Sequence, residues 1–238
     1  MDLIDWLFLV FTISCMLLVV WGLMRNGLPM TKFTLILVAW AAVSAALSLS
    51  GFLSDFSTFP PRMMIVLLVP LLVVLFFTFS ARSDIFLKKI PAAWIVYMQS
   101  FRVVVELFLW WAFLDELLPR QMTFEGRNFD VLAGLTAPIV AVLWLGYHRR
   151  KPILVIIWNV LGLVLLFNIL IIALLSMPTP ARFFMNEPAN TLVATFPWVW
   201  LPALLVILAL ALHLLSIKQM LMELQRRKIP AGLETGDL

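Results

Sequence analysis

Gln99, Arg102 and Glu106 fall at i, i+3 and i+7 inside an apolar stretch that runs from about Ile90 to Leu118. On an α-helix this spacing sets the three side chains on one stripe. An arginine near a bilayer centre costs from about 3 to more than 10 kcal/mol, so it survives there only against a partner or in a wet cavity. Arg102 has the chemistry to hold an anionic or carbonyl-bearing group. Glu106 can accept a proton or hold a cation, with Gln99 assisting. Arg102 and Glu106 are also close enough along a helix to pair with each other. Two readings therefore stand together: a polar binding or relay site, and an internal ion pair that locks one helix into a bundle.

Other polar residues fall near the same depth. Counted from the Pro91 end, Gln99, Arg102 and Glu106 lie roughly 12, 16 and 22 Å along their helix, and Asn159 and Asn168 lie roughly 9 and 22 Å along theirs. A carboxamide in lipid needs a partner, and hydrogen bonds between helices supply one. The run Met122-Thr-Phe-Glu-Gly-Arg-Asn-Phe-Asp130 puts Glu125, Arg127, Asn128 and Asp130 among aromatic residues, with Gly126 permitting a turn. It reads either as a self-paired turn or as a plug whose polar groups reach toward Glu106. His148 and His213 are the only histidines. A bis-histidine site is conceivable from them, but packed or exposed histidine is the commoner state. Of the two, His213 joins the candidate ligand-binding set. The chain contains no HExxH, Cys/His cluster, glycine-rich phosphate loop or serine elbow, so the expectation is no metal, no cofactor and no catalytic residue. Lys218 stands at the end of its apolar run, which excludes a rhodopsin-type Schiff base.

The elements that must position these residues are membrane helices. The chain is 63% hydrophobic and 13% charged over 238 residues, against about 25% charged in soluble domains. Its mean hydropathy is +1.06. A span needs about 20 apolar residues. Seven segments qualify: Ile4–Met24, Phe33–Leu53, Met63–Ser80, Pro91–Leu118, Val131–Tyr147, Ile153–Ser176 and Pro197–Ile217. Pro91, Pro152 and Pro197 stand where a first turn tolerates proline, and Asp130 is placed to cap the fifth segment. The pI near 9.6 reflects basic residues set between apolar runs, which is a pattern of membrane orientation and not of nucleic-acid binding. Twelve of them follow segments one, three, five and seven, against four on the opposite side. The positive-inside rule then places the N-terminus outside and the C-terminus in the cytoplasm. No basic n-region precedes the first segment, so it reads as a retained helix. Cys15 is the single cysteine and packs as a small hydrophobe. Phe-Pro before the third and seventh segments, and Pro70 and Pro202 within them, suggest a 3+1+3 repeat of the kind found in some transporters.

The 122–130 run, followed by Gly134, Thr136 and Pro138, resembles an uncharacterised family of bacterial multi-pass membrane proteins of Bacteroidetes-like genomes. Further similar pieces are Pro60-Pro61-Arg62, Arg102 with Glu106, Trp158-Asn159, Asn168, Phe196-Pro197 with Trp200-Leu-Pro202, and His213 with Ser216. The chain departs from that pattern at Asn186-Glu187-Pro188. The resemblance implies a discrete polar site made of these residues and says nothing of its ligand.

The expected fold is all-α, a polytopic bundle of seven transmembrane helices over 1–217 with a basic cytoplasmic tail at 218–238. The expected site lies between helices four, six and seven under the outer loop. The expected function is binding or transport of a small polar or anionic solute in the bacterial inner membrane. The alternatives are a structural subunit of a membrane complex and, with thinner support, an intramembrane enzyme using Glu106. The expected partners are the lipid bilayer, that solute, and a second copy or another membrane protein, with no nucleic acid.

Overall fold

The computed structural model describes residues 1–29, 31–146 and 150–228. Its regular elements are helical. They are α1 (Leu3–Arg25), α2 (Thr31–Leu49), α3 (Met64–Phe79), α4 (Ala81–Lys89), α5 (Ala92–Leu114), α6 (Val131–Leu145), α7 (Pro152–Leu175) and α8 (Val206–Lys228). A π-helical segment, Leu201–Leu205, leads into α8. Among the described residues, five spans are long and apolar enough to cross a membrane: α1, α2, α5, α7 and Leu201–Arg227. The pair α3 and α4 makes a sixth if its 80° bend is taken within one span. The fifth expected segment ends, among the described residues, as the 15-residue α6; its expected last residue, Tyr147, lies outside them.

The surface agrees with the composition. Leu17, Leu35, Phe76 and Phe79 are among many large apolar side chains that stay exposed on α1, α2 and α3. Soluble monomers rarely expose contiguous apolar surface on this scale, and a bilayer covers it. The chain is a multi-pass membrane protein. Its centre is α8, which packs against α3, α5 and α7.

The stretch between the third and fourth expected segments is not the short loop that its charges suggest. It is α4, which buries Ser83 and Leu87 and exposes Arg82 and Ile85. The cause lies far along the chain. Where α3 ends, its last carbonyls lose their intrahelical donors, and Lys218 supplies a cation there. Its Nζ donates to the carbonyls of Thr78 at 2.8 Å and Ser80 at 3.0 Å and to Ser83 Oγ at 2.6 Å, and pairs with Asp84 at 2.7 Å. Next to it, Gln219 Nε2 donates to the carbonyls of Leu87 and Ile90. Both residues sit inside α8, which runs on through Lys228. Residues 229–238 of the expected tail lie outside the described residues.

The opposite end is locked by indoles. Trp198 Nε1 donates to Asp5 at 2.8 Å, and its ring stacks on Phe8 with centroids 4.4 Å apart. Trp40 of α2 donates to the Ala203 carbonyl in the π segment, and Trp200 donates back to Ala41. Pro202 lacks an N–H and so disturbs the helical ladder here. Pro70 lies within the regular helix α3, so the two prolines that suggest a repeat do not share a local geometry.

Replacing Lys218 with Met removes the ammonium from the α3–α4 elbow. The expected cost is about 1–3 kcal/mol, the range for stranding buried polar groups. Thermal unfolding in detergent measures it, and hydrogen exchange of residues 78–90 should rise in the variant.

Candidate functional site

Arg102 is on α5 and Asp130 is the residue before α6. The two helices meet closely at Gly134, where a Cβ would sit 2.9 Å from the Val103 nitrogen and 3.3 Å from Arg102 Cβ. That approach brings the Asp130 carboxylate against the guanidinium. Arg102 Nε donates to Oδ2 at 2.7 Å and Nη2 donates to Oδ1, the two-pronged geometry that makes arginine–carboxylate pairs strong. Asp130 stands at the cap position of α6, but its side chain makes no capping bond. The helix-cap expectation is thus corrected: pairing a buried cation outweighs satisfying one backbone N–H, because an unpaired charge costs far more to desolvate.

The third guanidinium nitrogen determines the state of the histidine. Arg102 Nη1 lies 2.6 Å from His213 Nε2, and arginine can only donate. Nε2 is therefore the acceptor and the ring proton sits on Nδ1. Nδ1 donates to Asn159 Oδ1 at 2.8 Å, and Asn159 Nδ2 donates to Ser216 Oγ at 2.9 Å and the Val155 carbonyl at 2.8 Å. Gly162 lies under the imidazole, where a Cβ would collide with the ring.

A second branch starts from Glu106, one helical turn beyond Arg102. Asn128 Nδ2 lies 2.7 Å from both Glu106 oxygens and 3.1 Å from the Met122 carbonyl, while Asn128 Oδ1 accepts the Asp130 N–H at 3.0 Å. The polar groups form one continuous chain: Glu106, Asn128, Asp130, Arg102, His213, Asn159, Ser216. Each is buried, none more than 6% exposed. Arg102 and Asp130 cancel in charge. Glu106 has no ion-pair partner among the described residues. Arg102 and Glu106 thus reach separate partners and do not form the i,i+4 pair that their spacing allows.

A cavity of about 280 Å³ adjoins this chain. Leu67 and Leu71 of α3, Leu170 of α7 and Pro202 of the π segment contribute to its apolar wall, and among the described residues its charged lining is Glu106 and Asp130. Leu68 and Phe167 also line it and remain more than 40% exposed, so it lies open toward the lipid-facing side of α3 and α7.

The remaining expected residues divide. Gln99 is buried and donates to the Ala209 carbonyl at 3.1 Å, apart from the chain, with its Oε1 unpartnered. Glu125 and Arg127 are exposed: Glu125 accepts from Trp110 Nε1, and Arg127 lies 5.4 Å over the Phe184 ring. Asn168 donates to the Arg127 carbonyl and so holds the loop, not Glu106. The loop sends Asn128 and Asp130 inward and turns Glu125 and Arg127 outward. His148 lies outside the described residues. Among the described residues no three His, Cys, Asp or Glu side chains gather as a metal site would require. Gly134 enters the sequence reading only through the resemblance, and Gly162 does not enter it. Gly162 stands three residues after Asn159, on the same helical face, and that spacing is the signal that could have revealed it.

Arg102→Leu strands Asp130 and should cost about 3–5 kcal/mol, whereas adding Asp130→Leu should recover most of the loss. A double-mutant cycle read by thermal unfolding should give Arg102 with Asp130 a coupling of at least about 3 kcal/mol, the top of the range for residues in contact. The coupling of Arg102 with Glu106 should be distinctly smaller.

A family model described as a domain of unknown function, DUF8737, matches residues 59–221, more than two thirds of the chain. No curated protein and no solved structure matches it. The matched span contains the whole buried chain from Glu106 to Ser216 and runs from before α3 into α8. This multi-pass protein of long apolar helices therefore belongs to the DUF8737 family.

Proposed function

We propose that the protein binds or transports a solute that reaches Glu106 through the cavity between α3 and α7. One observation carries this reading: the buried polar chain holds two carboxylates and one arginine, and the carboxylate without a cation, Glu106, lines an apolar cavity. Burying an uncompensated carboxylate is costly, and a solute with a hydrogen-bond donor or a positive charge relieves that cost. The cavity wall suits an apolar body behind such a head. An anionic solute finds less support, because all three guanidinium nitrogens of Arg102 already have partners.

The two readings of the sequence then apply to different halves of the cluster. Arg102, Asp130, His213 and Asn159 serve as the internal lock, and Glu106 with Asn128 serves as the site. Glu125 and Arg127 belong to the outer rim of the loop, while Gln99 and Asn168 support the packing around it. The distribution of basic residues supports a cytoplasmic α4 and C-terminus, with the 122–130 loop outside. The resemblance to bacterial membrane proteins supports the inner membrane.

The test uses protein in nanodiscs with a long-chain primary amine and the alcohol of equal length as probes. The wild type should bind the amine at least about tenfold more tightly, a difference near 1.4 kcal/mol. Glu106→Gln should abolish that preference while leaving alcohol binding unchanged. Equal affinity for both probes in the wild type would overturn the reading and leave Glu106 as part of the lock.

A further inference from the structure

At the end of the molecule away from the 122–130 loop lies a second cavity, of about 430 Å³. The end of α4, the start of α5, Arg150 and the last turns of α8 enclose it. It shares no lining residue with the cavity at Glu106. Its charged lining is Lys88, Lys89, Arg150 and Arg226 against the single carboxylate of Glu223. That carboxylate is already engaged, by Arg227 at 2.6 Å and Arg150 at 3.4 Å. Lys88 and Arg226 have no carboxylate partner among the described residues. The cavity is therefore strongly cationic. The first turn of α5, at Pro91 and Ala92, also opens onto it, and helix starts present N–H groups without intrahelical acceptors and the positive end of the dipole.

Two further features define what would fit. The volume falls in the range of small-molecule sites and leaves far more room than the five heavy atoms of a phosphate fill. An occupant that carries an oxyanion on a larger body answers both the charge and the room. The position adds a third constraint. Helix α4 leaves α3 at 80° and exposes Ile85 at 62%. A short helix turned across the bundle, whose exposed face sets Ile85 among Arg82, Lys88 and Lys89, is suited to the boundary between hydrocarbon and headgroups. Basic pockets between helices at that level take lipid phosphates.

We propose that this cavity binds the phosphodiester headgroup of an anionic glycerophospholipid, with Lys88, Lys89, Arg150 and Arg226 on the phosphate. The experiment uses the full chain in a zwitterionic detergent, with native mass spectrometry and thermal unfolding as readouts. The probes are phosphatidylglycerol, phosphatidylcholine of the same chain length, and soluble glycerol phosphate. The wild type should retain phosphatidylglycerol at least tenfold over phosphatidylcholine and unfold at a higher temperature with it. Lys88→Ala with Lys89→Ala should lose that preference. Lys32→Ala with Arg82→Ala, equal in charge but outside the cavity, should keep it. Equal retention of the two lipids by the wild type, or equal loss in both double variants, would overturn the proposal. Stabilisation by glycerol phosphate matching that by the lipid would overturn the lipid assignment in favour of a free organic phosphate.

Discussion

The contact between Arg102 and Asp130 joins α5 to the residue that starts α6, across a loop and in surroundings where neither charge could stand alone. Desolvating a charge costs several kcal/mol unless a partner and hydrogen bonds compensate, so this contact constrains everything around it. It draws the end of the 122–130 loop into the bundle. Two residues back, Asn128 is carried to Glu106. The guanidinium's remaining nitrogen determines which ring nitrogen of His213 bears the proton, and through it the orientation of Asn159. The glycines at 134 and 162 follow from the same requirement: one lets α6 approach α5, and the other leaves space for the imidazole.

Within that arrangement Glu106 stands apart. Its partner is a carboxamide, which offers hydrogen bonds and no charge. A protein that needed only mechanical locking would gain nothing from a second carboxylate in the same low-dielectric region, since like charges there repel more strongly than in water. The asymmetry between a fully paired arginine and a carboxylate without a cation is what separates a lock from a candidate site inside one hydrogen-bonded chain.

Helix α8 serves three levels of the molecule. The π segment at its head contains Pro202, and indoles from α2 and the preceding turn hold its irregular backbone. At mid-height His213 and Ser216 close the polar chain. Two and three residues beyond Ser216, Lys218 and Gln219 cap the bent pair α3 and α4. One continuous helix thereby lines both cavities, through Val206 at Glu106 and through Gln219, Met222 and Arg226 at the basic one.

Composition and hydropathy by themselves determined that this is an all-helical chain in a membrane, because no arrangement of so few charges could cover a soluble core. The same reading isolated Arg102 and Glu106, since ionisable groups in an apolar run are conspicuous. It drew Asn128, Asp130, Asn159 and His213 into the candidate set, again as polar groups that must find partners. What it could not assign was the partners. Helical spacing made Glu106 the local choice for Arg102, yet the actual partners lie 28 and 111 residues away. Asp130 had the local form of a helix cap, and the polar stretch after α3 had the local form of a loop. Both were decided otherwise by groups brought in from distant helices. The physical reason is common to all three: a sequence shows which groups must be satisfied, because that depends on their own chemistry and the polarity of their neighbours. Only the packed structure decides what satisfies them, because desolvation and pairing energies depend on every atom within a few ångströms, whatever its place in the chain.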